Sequence, residues 1–161
     1  MVWEKLKDSL IFTNLEAKTT ADVFSIMGGE LTRQGYAKDS YVEALNTREA
    51  EYPTGLDIDG VGVALPHTDV SHTNNTAIAV ATLRNPVVFN EMGGEEEDKV
   101  NVNVVFMLCV NDPGGHMDVL QRVVTIIQDK SVMTKIQNAG SKDEIISIIR
   151  DKESVLDEEA S

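Results

Sequence analysis

Val61-Gly62-Val63-Ala64-Leu65-Pro66-His67-Thr68-Asp69 decides how the rest of the chain is read. Residues 61–65 form a short apolar, partly β-branched run between glycine and proline, the pattern of a buried strand. Pro66 ends it. Leu65, preceding a proline, is pushed towards extended geometry, and Pro66 has no N–H to offer a sheet ladder. His67 is therefore displayed at the carboxyl end of a buried strand, where open α/β sheets place their ligand crevice. A histidine beside a proline is also an ordinary loop residue with a satisfied hydrogen bond, and the stretch alone leaves both possibilities open.

Further strands are expected on either side. Residues 76–83, Thr-Ala-Ile-Ala-Val-Ala-Thr-Leu, and residues 102–110 are apolar with little alternation. Residues 9–15 form a weaker candidate, and Pro86-Val87-Val88-Phe89 reads as a short edge strand before an exposed loop over 92–99. Strands apolar on both faces need cover on both sides. Helices are predicted to supply it. Thr20 opens one over 21–34 that carries Val23, Phe24, Met27 and Leu31 on one side, with Gly28-Gly29 as a point of bending or close approach and Gly35 as its stop. Ser40 and Glu43 form a capping box for a second, ending near Glu49, which places Arg48 in a last turn. There a cation is favoured by the helix dipole whatever else it does. Residues 52–55 are turn chemistry, and 57–60 a polar connection into the central strand. Later helices are expected over 117–128, from Ser131 to Ile136, and after a Ser141–Glu144 capping box. The fold class implied is α/β: a single domain over residues 1–161, with a mixed sheet of about five strands flanked by helices on both faces.

The 161 residues suit one domain, and 42% hydrophobic residues can fill its core. The net charge of −13 argues against nucleic acid or an anionic membrane surface as partner and favours a basic protein. Glu95-Glu96-Glu97-Asp98 and the acidic tail are expected to be solvated. No apolar stretch is long enough to span a bilayer and the N-terminal residues lack a signal-peptide pattern, so no direct membrane insertion and a cytoplasmic location are expected. Cys109, the single cysteine, lies in an apolar run and reads as a small core residue.

Just before the central stretch stands Arg48-Glu49-Ala50-Glu51-Tyr52-Pro53-Thr54-Gly55-Leu56. Arg-Glu-x-x-Tyr-Pro-Thr-Gly-Leu followed by Gly-x-Ala-Leu-Pro-His-Thr-Asp resembles the phosphorylatable segment of enzyme IIA proteins of the fructose/mannitol type in the sugar phosphotransferase system. Within that family the chain looks most like galactitol-type IIA components. The similarity is strongest from Tyr41 to Leu83 and extends more loosely over nearly the whole chain.

The resemblance implies a phosphocarrier. It would take a phosphoryl group from the phosphohistidine of HPr and pass it to a cysteine of a IIB component, driving uptake and phosphorylation of a sugar or sugar alcohol. The family's phosphorylated histidine falls on His67 and its supporting arginine on Arg48, while His116 matches a second active-site histidine of many mannitol- and fructose-type members and is expected to be an auxiliary donor. No cofactor is implied, and a chain without a linker suggests IIB and IIC on separate polypeptides. The chemistry fits these residue types. Neutral imidazole is a nucleophile near neutral pH and a good leaving group once phosphorylated. Transfer otherwise needs fixed donors around three charged oxygens, for which the forked guanidinium of Arg48 suits better than a lysine. Thr54 and Thr68 are candidate phosphate donors. His67-x-Asp69-x-x-His72 has competent metal ligands but no recognised metal spacing, so no metal site is assigned; Thr68, Asp69 and His72 also read as residues that shape the loop. A IIA-like regulatory module, phosphorylated at the same histidine and signalling by protein contact without transport, would carry the same residues.

Overall fold

The computed structural model describes residues 1–112 and 118–160. Among these residues five strands form one sheet in the order β1-β4-β5-β3-β2. They are β1 (Ile11–Leu15), β2 (Gly55–Ile58), β3 (Val61–Ala64), β4 (Ala77–Asn90) and β5 (Lys99–Cys109). β1 runs parallel to β4 and β3 parallel to β5, whereas β4–β5 and β2–β3 are antiparallel, so the sheet is mixed as expected.

The strand residues alternate between two apolar layers. Val63, Leu65, Ile78, Val80, Val104, Phe106 and Leu108 face α4 (Asp118–Ile127), α5 (Lys130–Gln137) and α6 (Lys142–Ala160). Ala64, Ala77, Ala79, Ala81, Val105 and Met107 face α1 (Thr20–Val23), α2 (Gly29–Arg33) and α3 (Tyr41–Glu51). The small side chains of β4 on that second face leave room for α1 to α3 to lie close to the sheet.

Two details differ from the sequence reading. Pro86 to Phe89 is the continuation of β4, past a register shift between Thr82 and Val87, and pairs with β5 instead of standing as a separate edge strand. The fifth strand is β2, read above as turn and polar connection. Its hairpin with β3 closes through Asp59 and Gly60, both at positive φ, the two-residue turn that matches the twist of paired strands. Asp57 helps by accepting the Gly60 N–H at 2.7 Å. Asp59-Gly60 is the local sequence signal for this hairpin.

The helices follow their signals with adjusted caps. Thr19, not Thr20, caps α1, in a reciprocal box with Asp22. A π-helical turn at Phe24–Gly28 separates α1 from α2, and a Cβ at Gly28 would sit 3.1 Å from Val42 and Leu45, so this glycine lets α3 approach. Asp129 caps α5 through the N–H groups of Ser131 and Val132. Ser141 does cap α6, accepting from the Glu144 N–H at 3.2 Å. Glu95, Glu96 and Glu97 are exposed. Cys109 is buried and its thiol pKa is pushed up to about 12 by that burial, so it is inert as a nucleophile. No helix of the described residues is long and apolar enough to cross a membrane.

Candidate active site

β3 ends at Ala64, and the chain stays beside β5 for three further residues. The Leu108 N–H donates to the Pro66 carbonyl at 2.9 Å, and His67 forms an isolated parallel bridge with Leu108. This fixes the backbone on which the imidazole is mounted. His67 Nδ1 lies 2.8 Å from the Leu65 carbonyl oxygen. A carbonyl can only accept, so Nδ1 carries the hydrogen and Nε2 keeps its lone pair. Burial pulls the His67 pKa below its ordinary value of 6.5, outweighing the bond to Leu65; the Arg48 cation pulls the same way and Asp69 opposes it. Burial of the half-buried ring thus favours its neutral form, in which the Leu65 bond makes Nδ1 the N–H and leaves the lone pair on Nε2.

Arg48 comes to this place from the last turn of α3. Its Nη1 donates to Asp69 Oδ1 at 3.3 Å, and its guanidinium carbon lies 5.4 Å from the centre of the Tyr52 ring. Nε is buried and finds no hydrogen-bond partner among the described residues. Arg48 and Asp69 side chains are 35% and 75% exposed, so their pairing contributes at most about 1 kcal/mol to stability. The cation is therefore available to a further anion, and little of the fold depends on it.

Arg48, Thr68, Asp69 and His72 line one open cleft of about 400 Å³, together with Ser40, Glu43, Ala44, Thr47, Glu51 and Tyr52. His67 stands beside this cleft, one residue before Thr68, and is not among its lining residues. The Thr68 hydroxyl donates to the Asp69 carbonyl at 3.0 Å within the loop. His72 is engaged with helix α3: its Nδ1 is 2.8 Å from Ser40 Oγ, and its carbonyl accepts the Lys38 N–H at 2.9 Å. The expected Ser40–Glu43 capping box is consequently absent, because the Ser40 hydroxyl turns to His72 and makes no cap bond. Among the described residues no three His, Cys, Asp or Glu side chains gather as a metal site would.

Thr54 is not brought to the cleft. It is 4% exposed, and its N–H and hydroxyl donate to the two carboxylate oxygens of Glu49 at 2.7 and 2.8 Å. His116 lies outside the described residues. Two residues passed over in the sequence stand near the site. Tyr41, fully buried at the start of α3, donates its hydroxyl to the Leu108 carbonyl at 2.7 Å, on the residue that His67 bridges. Glu49 shares its buried stripe with Tyr41 and Leu45, at successive steps of four, where an apolar residue is the rule. A carboxylate at that spacing was the signal that could have found it.

Residues 4–152 match the family described as phosphoenolpyruvate-dependent sugar phosphotransferase system, EIIA 2. This chain belongs to that family. Among the curated EIIA relatives, the fructose-specific EIIABC component of Bacillus subtilis (strain 168) is 28% identical over 152 residues, covering 92% of this chain and 23% of that protein. The chain thus spans less than a quarter of that multidomain relative. The galactitol-specific EIIA component of Escherichia coli (strain K12) is 27% identical over 113 residues, 70% of this chain and 74% of the relative. Two solved EIIA structures superpose along nearly their whole length. The Escherichia coli enzyme IIAMtl, in its complex with phosphorylated enzyme IIBMtl, gives a TM-score of 0.74 at 25% identity, covering 91% of this chain and 97% of that one. The nitrogen regulatory protein IIA-Ntr of Neisseria meningitidis gives 0.72 at 27% identity, covering 91% and 97%.

Proposed function

We propose that this EIIA chain is a phosphohistidine carrier that accepts a phosphoryl group from phosphorylated HPr on His67 and passes it to a cysteine of a IIB component. The observation that supports it most is the fixed tautomer of His67: with Nδ1 donating to Leu65, the lone pair stays on Nε2, in a ring that feels the Arg48 cation. In the first step this lone pair attacks phosphorus. The bond between phosphorus and the donor's imidazole nitrogen breaks, and its electron pair returns to the donor ring. In the second step a IIB thiolate attacks and the electron pair of the P–N bond returns to Nε2. Nδ1 stays protonated throughout, so no proton has to leave the His67 ring at either stage. Arg48 would neutralise the phosphoryl oxygens, Thr68 and His116 would act as further donors, and the chemistry calls for no cofactor. Such a relay would work on the cytoplasmic side of the membrane, and galactitol-type uptake is the first system in which to test it.

Purified protein incubated with phosphorylated HPr is expected to take up label and lose it to a cognate IIB. Absence of labelling from any HPr would overturn the proposal. The pH dependence gives a second readout of the same experiment. Because the His67 pKa is lowered in the folded state, acceptance should hold steady as pH falls through 6.5 and decline only below the folded value. The linkage has the same origin: the unfolded chain takes the proton first, so His67 costs stability progressively as pH falls from 6.5 towards its folded pKa. A His67 titration midpoint at or above 6.5, followed by NMR of its ring protons, would contradict this.

The similarity to IIA-Ntr supports a second reading, a regulatory protein phosphorylated on the same histidine that acts by contact. Genes for IIB and IIC beside this one would favour transport. A label that HPr delivers but no IIB accepts would favour regulation.

A further inference from the structure

Glu49 is a carboxylate where the packing asks for an apolar side chain. It is 8% exposed, on the buried stripe of α3, and sits near a helix C-terminus, where the dipole disfavours negative charge. Burial raises its pKa, against the two bonds from Thr54. A residue kept against both packing and the dipole calls for a gain elsewhere.

The gain lies in what the Glu49–Thr54 contact connects. Both carboxylate oxygens are used, by the Thr54 N–H and the Thr54 hydroxyl, closing the turn that holds Tyr52. Thr54 is itself buried. Its neighbour Gly55 opens β2, pairs with Ala64 of β3, and its carbonyl accepts the Met92 N–H at 2.8 Å. A Cβ at Gly55 would come within 2.6 Å of the Asn90 carbonyl oxygen, so the turn is seated directly on β4. From Thr54 the path to His67 is short: Gly55 to Ala64 across the ladder, then Leu65, whose carbonyl holds the imidazole. Arg48, by contrast, has weak tethers of its own, one 3.3 Å pair with an exposed carboxylate and one exposed ring contact.

We propose that Glu49 and Thr54 form a positioning pair that registers the Arg48 end of α3 against the strand carrying His67, so that the guanidinium meets the phosphoryl group without reorganising. This rests on the phosphocarrier reading. It gives Thr54 a different task from phosphate binding: the hydroxyl acts through Glu49 and Arg48. Glu49→Gln and Thr54→Val keep the volumes and remove the matched donor–acceptor set, whereas Thr54→Ser keeps the hydroxyl.

The test is a cycle of single and double variants assayed for phosphoryl acceptance from phosphorylated HPr, with rates taken per folded molecule from a parallel melting curve. Glu49→Gln and Thr54→Val are expected to slow acceptance about tenfold or more, the size of effect that a small misplacement of a reacting group produces. Thr54→Ser should stay close to wild type. In an Arg48→Ala background neither Glu49→Gln nor Thr54→Val should slow the reaction further, because the pair acts only through that cation. A second measurement needs no activity: the Arg48 Nε–H resonance should shift or broaden in Thr54→Val and not in Thr54→Ser. Slowing of equal size with and without Arg48, or single variants that lose only thermal stability, would overturn the proposal. If wild type itself takes no label, the phosphocarrier reading fails, and the NMR comparison alone then decides whether the pair holds Arg48.

Discussion

His67→Ala protein, folded and melting near the wild-type temperature, is expected to take no label from phosphorylated HPr, while His72→Ala protein labels fully. The fold should survive because the backbone around His67 is held by groups that the substitution leaves in place. The Leu108 N–H still donates to Pro66, and the Tyr41 hydroxyl still holds the Leu108 carbonyl. Only the ring and its bond to Leu65 are lost, from a half-buried position, and a side chain that is neutral in the folded state leaves no charge unpaired. The loss of labelling should be complete, because the nucleophile carries the covalent intermediate and nothing nearby replaces it. His72 has its Nδ1 committed to Ser40 and braces α3. Cys109, the other conceivable nucleophile, is buried with its thiol pKa pushed up to about 12. Stoichiometric labelling of the His67→Ala protein would assign the phosphoryl group to another residue.

Arg48→Ala should slow acceptance by about a hundredfold or more while changing stability little. The rate effect follows from losing a fixed cation where charge sits on the transferred group, a loss that typically costs two to three powers of ten, roughly, in such sites. The small stability effect follows from exposure: the Asp69 pair and the Tyr52 ring contact, both at the surface, are each worth about 1 kcal/mol or less. Arg48→Lys should restore only part of the rate, since an ammonium offers a point charge where the guanidinium offers a planar fork. Stopped-flow transfer from phosphorylated HPr together with thermal melts decides the matter. A folded Arg48→Ala protein with the wild-type rate would leave only the favourable placement of a cation at a helix end to explain this residue.

Much of this arrangement is legible in the sequence. The apolar run of β3 and its stop at Pro66 place His67 at a strand end, and the helix that carries Arg48 brings it to Asp69, two residues past His67, with its charge felt by the His67 ring. Local signals of that kind survive folding because they are steric: proline removes a donor and glycine admits a close neighbour. What escaped was non-local. Thr54 has the chemistry of a phosphate donor, and only its burial against Glu49 shows that its hydroxyl is already in use. Ser40 and Glu43 satisfy the pattern of a capping box, yet a histidine 32 positions away takes the Ser40 hydroxyl. β2 was missed because its four residues are too few and too mixed to show a period; its Asp-Gly turn was the better guide.

The central claim is that His67 accepts the phosphoryl group on the nitrogen that the fold leaves free. The most direct measurement is NMR of protein with 15N-labelled histidine after phosphorylation by HPr, which distinguishes the two ring nitrogens of each histidine. The expected spectrum has phosphorus bonded to Nε2 of His67 and Nδ1 still protonated against the Leu65 carbonyl. Phosphorus on Nδ1 of His67, or on any other residue, would contradict it.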